Sequence, residues 1–253
     1  MSVLEILQVS KWFGGFEALS AIDMCVDEEA IHAVIGPNGA GKTTLFNLLS
    51  GVYPATQGKI RFNGEDITRS KAHQISRMGM ARTFQNICLF PGMTVLENVA
   101  VGRHAYSDTS LFKVFLRPPF AKSRGEQALL ERAAEILDRV GLSAKRDQLA
   151  SNLPYGDQRR LEIARALATE PRLLLLDEPA AGMNPNETEG VLALIETIVA
   201  DGITILLIEH DMKLVMGIAH RITVLNFGRK IAEGTPDDIR NNPKVVEAYL
   251  GAE

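Results

Sequence analysis

The 253-residue chain has little cysteine and no long apolar segment. Its two cysteines, Cys25 and Cys88, form no metal-type cluster and fit a reducing compartment, and we expect both to be buried as small apolar side chains. No apolar run approaches the roughly 20 residues that a membrane-spanning helix needs. Because the N-terminus shows no basic region followed by an apolar block, we expect no signal peptide.

An excess of positive charge is also missing. The 27 Lys and Arg residues are outnumbered by 31 Asp and Glu residues, which gives a net charge of −4. The basic footprint of a nucleic-acid-binding protein is therefore not present, and we expect no nucleic-acid partner. An apolar fraction of 46% and a charged fraction of 23% are typical of a globular chain with a substantial core.

A glycine-rich stretch at residues 36–44 fits the pattern G-x-x-x-x-G-K-[ST] of a phosphate-binding loop. A predicted buried strand precedes it at residues 31–35, and a predicted helix follows from Leu45. Glycines allow backbone N–H groups to turn toward phosphate oxygens, and the helix N-terminus adds partial positive charge. Lys42 would place a full charge near the β- and γ-phosphates, and the Thr43 hydroxyl would face Mg²⁺. The residues predicted to hold the phosphates are Gly36, Pro37, Asn38, Gly39, Ala40, Gly41, Lys42, Thr43 and Thr44.

Two predicted buried strands end in ionisable side chains. Four leucines at residues 173–176 run into Asp177 and Glu178, where Asp177 would enter the Mg²⁺ shell and Glu178 would orient or deprotonate an attacking water. The strand at residues 203–208 is followed closely by His210, which would hydrogen-bond the γ-phosphate. Parallel strands present their carboxyl ends at one ligand-binding edge, so we expect these groups to meet there. His32, inside a buried strand, is interpreted as a core histidine.

Two further side chains are candidates by position. Phe13 lies beside a turn between two predicted strands and would stack on a nucleotide base, although an aromatic residue at such a place is more often part of the core. Gln85 ends a predicted strand, and its amide oxygen would reach Mg²⁺ or the attacking water. Residues 153–160 open a helix whose N-terminus is a second natural phosphate-binding site.

The order of elements predicts an α/β fold, with a P-loop NTPase (RecA-like) core and an antiparallel β edge. No strand pattern appears between about residues 86 and 169. We therefore expect a single domain over residues 1–253, with the core and its β subdomain at residues 1–85 and 165–253 and an inserted helical subdomain at residues 86–164. Within the insert, a capping box of Thr94 and Glu97 begins a helix that extends to His104. Six apolar residues there form either a docking surface or local packing: Leu111, Phe112, Val114, Phe115, Leu116 and Phe120.

Together these elements resemble the ATP-binding-cassette ATPases over essentially the whole chain. The resemblance implies that Phe13 is the family's base-stacking aromatic residue, residues 36–44 its phosphate loop and Gln85 its Q-loop glutamine. It also implies that residues 153–157 are the signature segment, Asp177 with Glu178 the Walker B carboxylates, and His210 the switch histidine. Within the family, residues 153–156, 161–167, 208–212 and 242–246 look like the ATPases of branched-chain amino acid importers.

Two departures from the family pattern concern contacts between subunits. The signature reads Leu-Pro-Tyr-Gly-Asp in place of Leu-Ser-Gly-Gly-Gln, so the serine hydroxyl is missing and Pro154 has no N–H to replace it. The N–H groups of Tyr155 and Gly156 remain as donors to a nucleotide. The D-loop, which usually carries an aspartate, reads Ala-Gly-Met-Asn at residues 181–184.

The resemblance implies an ATP-hydrolysing motor with ATP and Mg²⁺ as cofactors. Lys42, Gln85, Glu178 and His210 would be its catalytic residues, and Thr43, Gln85 and Asp177 its metal ligands. Its partners would be a second ATPase subunit, identical or related, and transmembrane permease subunits, which would place the chain on the cytoplasmic face of the cell membrane. Three alternatives stay open: a lipopolysaccharide-export ATPase, a soluble ATPase acting on DNA or ribosomes, and a small-molecule kinase.

Overall fold

The computed structural model describes residues 2–85, 87–103 and 124–250, and within these ranges the chain divides into two compact units. The first unit falls in Met1–Arg82, Arg172–Glu178 and Ile195–Glu253. The second falls in Thr83–Pro171 and Pro179–Leu194. The domain boundaries expected from the sequence stay a prediction.

A six-stranded sheet of order β10-β9-β3-β8-β7-β6 forms the centre of the first unit. Strands β3, β8, β7 and β6 run parallel, as does β9 beside β3, while β10 is antiparallel to β9. The buried runs of β3, β7 and β8 fit a sheet covered on both faces. The strands are β3 Ile31–Ile35, β6 Met80–Arg82, β7 Leu173–Asp177, β8 Thr204–Ile208, β9 Arg221–Asn226 and β10 Arg229–Gly234.

A second, antiparallel sheet of order β2-β1-β4-β5 belongs to the same unit. Its inward residues, such as Leu4, Ile22 and Phe62, join the core cluster that also holds Phe46 and Leu49 of the helix after the phosphate loop. The predicted α/β fold with an antiparallel β edge is thereby confirmed. The strands are β1 Ser2–Phe13, β2 Phe16–Asp27, β4 Gln57–Phe62 and β5 Glu65–Asp66.

Five helices of the described chain belong to the first unit alone: Lys42–Leu49, Ala72–Arg77, Met212–Ile218, Pro236–Arg240 and Pro243–Leu250. A further helix, Pro185–Ala200, contributes residues to both units. In the part of the chain that the structure describes, no helix combines the length and apolarity needed to cross a membrane.

The second unit is helical within its described residues. Helix Val95–Arg103 packs against helices Arg124–Arg139 and Tyr155–Leu167, and short 3₁₀ turns lie at Ser143–Lys145 and Ala150–Asn152. The predicted capping box is present: the Glu97 carboxylate accepts from the Thr94 N–H at 2.7 Å, and the Thr94 hydroxyl accepts from the Glu97 N–H at 3.2 Å. The predicted end of this helix at His104 and the six apolar residues between 111 and 120 lie outside the described residues.

The prediction that both cysteines are buried is wrong, because Cys25 and Cys88 are both exposed. Cys25 lies on β2 between Met24 and Val26, which face the core, so the alternation of a strand turns the thiol outward. The position of Cys25 in the strand, and not its size or apolar character, therefore determines its exposure.

His32 is a core histidine, as expected: it is 1% exposed, and its Nε2 lies 2.8 Å from the Thr223 hydroxyl. Burial lowers the pKa of His32 from 6.5 to about 4, because the charged imidazolium would lose its hydration.

Acid should therefore destabilise the fold through His32. Since the folded pKa lies below the unfolded value, this contribution is complete above pH 6.5 and is lost as the pH falls toward 4. Between pH 7.5 and pH 5 we expect His32 to lower the free energy of unfolding by about 2 kcal/mol. Urea unfolding of the wild type and of His32→Gln would measure this, with exposed His73→Gln as the control. Equal pH dependence of the wild type and His32→Gln would contradict the assignment.

Candidate active site

The phosphate loop at residues 36–44 connects the end of β3 to the helix Lys42–Leu49. Gly36 has φ +153°, and a Cβ there would lie 2.1 Å from the Leu225 carbonyl oxygen. Gly41 has φ +102°, and its Cβ would lie 2.9 Å from the Ala18 carbonyl oxygen. These two glycines let the loop lie directly against β9 and β2, where no larger residue fits.

The Lys42 ammonium closes this loop from inside. Its Nζ donates to the carbonyl oxygens of Gly36 at 2.6 Å and Pro37 at 3.0 Å, and the residue is only 8% exposed. Burial lowers the pKa of Lys42, while the carboxylates of Glu178 and Asp177 act in the opposite direction. A cation held by two neutral carbonyls can transfer to a stronger acceptor, and a phosphate anion is such an acceptor.

Removing this ammonium should weaken nucleotide binding. A hydrogen bond to a charged group contributes about 1.5–3 kcal/mol, which corresponds to a loss of roughly 10- to 100-fold in ATP affinity for Lys42→Ala. Equilibrium binding of ATP would measure the loss, with Lys59→Ala, on the exposed side of β4, as the matched control. Equal affinities of Lys42→Ala and Lys59→Ala would show that this ammonium does not bind the nucleotide.

Two carboxylates lie at the end of β7, which is beside β8 in the sheet. Asp177 ends the strand and is 4% exposed, and Glu178 follows with φ +49°, a left-handed conformation that is uncommon for a residue with a side chain. The Glu178 N–H donates to the Ile208 carbonyl at 2.9 Å, which ties the two strand ends together. A non-glycine residue held in this conformation is a frequent mark of a functional position.

His210 lies next to Glu178. Its Nδ1 is 3.6 Å from Glu178 Oε1 and 3.9 Å from Glu209 Oε2, and its side chain is 61% exposed. Because β3, β8 and β7 are parallel neighbours, the phosphate loop, His210 and the two carboxylates lie at the same edge of the sheet. Their geometry is that of an anion site with an acidic group beside it.

Phe13 lies at the end of β1 and is 45% exposed, so it is not a core residue. Its ring meets Tyr53 edge to face, with centroids 5.2 Å apart. The Lys11 ammonium lies 5.0 Å from the centroid of Phe13 and 4.8 Å from that of Tyr53. These contacts support an exposed aromatic ring, and such a ring can stack on a base.

Gln85, Tyr155 and Gly156 belong to the second unit. The exposed Gln85 follows Phe84, and Arg159 of the helix Tyr155–Leu167 donates to the carbonyl oxygen of Phe84 at 2.8 Å and to that of Gln85. Glu162 of the same helix accepts from the Phe84 N–H at 3.3 Å and from Arg159 at 3.0 Å. The helix therefore fixes the backbone of the segment that carries Gln85.

The two departures from the family pattern have local structural accounts. Pro154 is the N-cap of the helix Tyr155–Leu167, with φ −55° and ψ 155°, a position where the missing N–H has no cost within the helix. Asn184 begins the helix Pro185–Ala200: its side-chain oxygen accepts from the Glu187 N–H at 3.0 Å, and the Glu187 carboxylate accepts from the Asn184 N–H at 3.1 Å. Asparagine is among the best residues for this capping role.

Sequence reasoning missed three charged residues whose buried side chains organise these segments: Arg82, Arg159 and Glu162. Glu162 interrupts an apolar run between Leu161 and Ile163, and Arg82 ends a strand after two buried residues. Charged side chains at predicted buried positions are almost always paired, and that signal would have found them.

Comparison with known proteins gives a consistent result. A family model described as "ABC transporter" matches residues 19–181, and one described as "Branched-chain amino acid ATP-binding cassette transporter" matches residues 229–253. The chain is 47% identical over 250 residues to BraF of Pseudomonas aeruginosa, covering 98% of each chain. It is 51% identical over 240 residues to LivG of Salmonella typhimurium, covering 94% of each. Both relatives are described as high-affinity branched-chain amino acid transport ATP-binding proteins.

Solved structures agree with the sequence relatives. A nucleotide-free ATP-binding cassette from an ABC transporter matches with a TM-score of 0.85 and 34% identity, over 98% of this chain and 99% of that one. The ADP conformation of MJ1267, an ATP-binding cassette of an ABC transporter, matches with a TM-score of 0.86 and 33% identity, over 99% of each. The chain therefore belongs to the ABC transporter family, as an ATP-binding cassette that hydrolyses ATP.

Proposed function

We propose that this chain is the motor subunit that energises the import of branched-chain amino acids through membrane permease subunits. The observation that carries the proposal is the shared sheet edge at which the phosphate loop, Asp177, Glu178 and His210 lie. The substrate class is supported by the relatives described as branched-chain amino acid transport proteins, and by the separate match of the C-terminal residues 229–253.

Each candidate residue has a proposed role. Lys42 and the N–H groups of residues 36–44 would bind the β- and γ-phosphates, and Phe13 would stack on the base. Glu178 would orient the attacking water and accept its proton. His210, with its ring nitrogen near Glu178, would hydrogen-bond the γ-phosphate. The role expected of Gln85, which belongs to the second unit, stays a prediction.

The donor set also suits Mg²⁺. This ion prefers oxygen ligands and usually binds through one or two carboxylates together with substrate phosphates. Thr43, exposed at the first turn of its helix, and Asp177, at the end of β7, would hold it. When bound, Mg²⁺ would neutralise the charge that develops on the phosphate oxygens.

Two cassettes would form the working unit. The helix Tyr155–Leu167 has the N–H groups of Tyr155 and Gly156 at its N-terminus, and these would bind the nucleotide of a second, identical or related, subunit. The dimeric structure of a post-hydrolysis state of the cassette MJ0796, bound to ADP and Pi, matches this chain with a TM-score of 0.75 and 25% identity. Hydrolysis would then open the dimer, as the loss of a γ-phosphate does in other nucleotide switches.

The predicted helical subdomain at residues 86–164 would transmit this opening to the permease. The chain would accordingly lie in the cytoplasm, peripherally on the inner face of the cell membrane. The identity of the permease that this chain binds would also distinguish the proposal from a lipopolysaccharide-export ATPase. The reason is that the transported solute contacts the membrane subunits.

A two-step experiment tests the proposal. The tagged chain is affinity-purified from the membranes of its own cells, and it is then reconstituted with the permeases that co-purify. We expect ATP-dependent uptake of labelled leucine, isoleucine or valine into vesicles, which Glu178→Gln abolishes and Glu65→Gln, at an exposed position, preserves. Co-purification with exporter subunits would overturn the proposed substrate class, and so would the absence of ATP-dependent uptake of all three amino acids.

A further inference from the structure

Arg82 connects the carboxylate end of β7 to the helix that follows the phosphate loop. Its Nη2 donates to Asp177 Oδ2 at 2.9 Å, and its Nη1 donates to Asn47 Oδ1 at 2.7 Å and to the Ser50 hydroxyl at 2.9 Å. The guanidinium carbon lies 5.5 Å from the centroid of the Phe46 ring. The side chains of Arg82 and Asp177 are only 7% and 6% exposed, so this ion pair is inside the protein.

The sheet register explains why these two residues meet. Arg82 of β6 lies opposite Leu175 of the parallel strand β7. Asp177 is two residues further along β7 and therefore on the same face as Leu175. A long side chain can reach such a diagonal neighbour. The strand pairing therefore places the guanidinium within hydrogen-bonding distance of the carboxylate.

The contacts use the shape of arginine as well as its charge. A guanidinium presents donors in a rigid planar fork, which here contacts the carboxylate with one nitrogen and the helix side chains with the other. Lysine has one ammonium and no such fork. The network also extends from the helix: Asn47 Nδ2 donates to the Tyr53 hydroxyl at 3.0 Å, and Tyr53 packs against Phe13.

We propose that Arg82 is a positioning residue of the magnesium site, which fixes the orientation of the Asp177 carboxylate relative to the helix Lys42–Leu49. The inference rests on the proposed role of Asp177 in holding Mg²⁺. Arg82 itself touches neither nucleotide nor metal in this account. It holds Oδ2 of Asp177, so that the carboxylate meets the ion in one orientation.

The experiment compares binding of a fluorescent, non-hydrolysable ATP analogue in Mg²⁺ and in EDTA. Partners that orient metal ligands typically change metal affinity by about 10- to 100-fold, so Arg82→Met should reduce the gain in analogue affinity from Mg²⁺ at least about tenfold. Affinity in EDTA should change little. The Mg²⁺ gain of Arg82→Lys should lie between those of Arg82→Met and the wild type. Arg61→Met, at an exposed position of β4, should match the wild type.

Circular dichroism and thermal unfolding show whether each variant folds, and Arg82→Lys provides the second readout if Arg82→Met does not. A parallel loss of affinity in Mg²⁺ and EDTA would overturn the inference in favour of a purely structural ion pair, and so would an unchanged Mg²⁺ gain. A wild type that binds the analogue equally well with and without Mg²⁺ would instead remove the proposed magnesium site itself, and this inference with it.

Discussion

Glu178→Gln is expected to bind ATP with nearly wild-type affinity and to hydrolyse it roughly 10²- to 10⁴-fold more slowly, the usual contribution of a general base. Glutamine keeps the size of the side chain and the hydrogen bond from the residue 178 N–H to the Ile208 carbonyl. It loses the carboxylate that would accept a proton from water. Single-turnover hydrolysis, measured beside equilibrium ATP binding, separates the two effects.

The matched control for this substitution is Glu65→Gln, at an exposed position of the short strand β5. It changes the net charge equally but lies in the antiparallel sheet. Turnover of Glu178→Gln within a few-fold of the control would remove Glu178 from the chemical step. A parallel loss of binding and turnover would assign it to nucleotide binding instead.

Arg159→Met is expected to destabilise the second unit strongly. The side chains of Arg159 and Glu162 are 3% and 2% exposed, and removing one partner of a buried ion pair costs about 3–5 kcal/mol. Burial raises the pKa of Glu162 even though Arg159 opposes the rise, so the carboxylate is poorly tolerated without its partner. Urea unfolding measures the loss, and hydrogen exchange of residues 83–90 reports on the attached segment.

Two variants make this result specific. Arg159→Met combined with Glu162→Leu removes both charges, and it should recover part of the lost stability. Arg146→Met breaks an exposed pair with Asp147 and should cost at most about 1 kcal/mol. Equal stabilities of Arg159→Met and Arg146→Met would show that the buried pair does not hold the Phe84–Gln85 segment.

Much of the fold and of the nucleotide edge could be predicted because their signals are local. Each signal combines a sequence pattern with a physical requirement that neighbouring residues satisfy. The signals are the glycines of residues 36–44, the apolar runs before Asp177 and His210, and the Thr94–Glu97 capping box. The parallel sheet then brings their ends together by topology alone. The catalytic and binding roles of the individual residues stay predictions.

The parts that the sequence did not reveal depend on pairing between distant segments. Arg82 contacts Asp177 because of the register of β6 on β7. Arg159 donates a hydrogen bond to the Phe84 carbonyl, although the two residues are 75 positions apart in the sequence. Its size and chemistry predict a buried Cys25, but the alternation of β2 turns the thiol outward. Register and partner choice come from tertiary packing, which single-sequence patterns do not contain.

Calorimetric titration of the Glu178→Gln variant with ATP and Mg²⁺ shows whether residues 36–44 bind the triphosphate, because the slow hydrolysis expected of this variant adds little heat to the heat of binding. We expect saturable binding of one nucleotide per chain, weakened by the added substitution Lys42→Ala and left intact by Lys59→Ala. Folded protein that gives no binding heat, or that binds equally well with and without the Lys42 ammonium, would contradict the assignment of residues 36–44 as the triphosphate site.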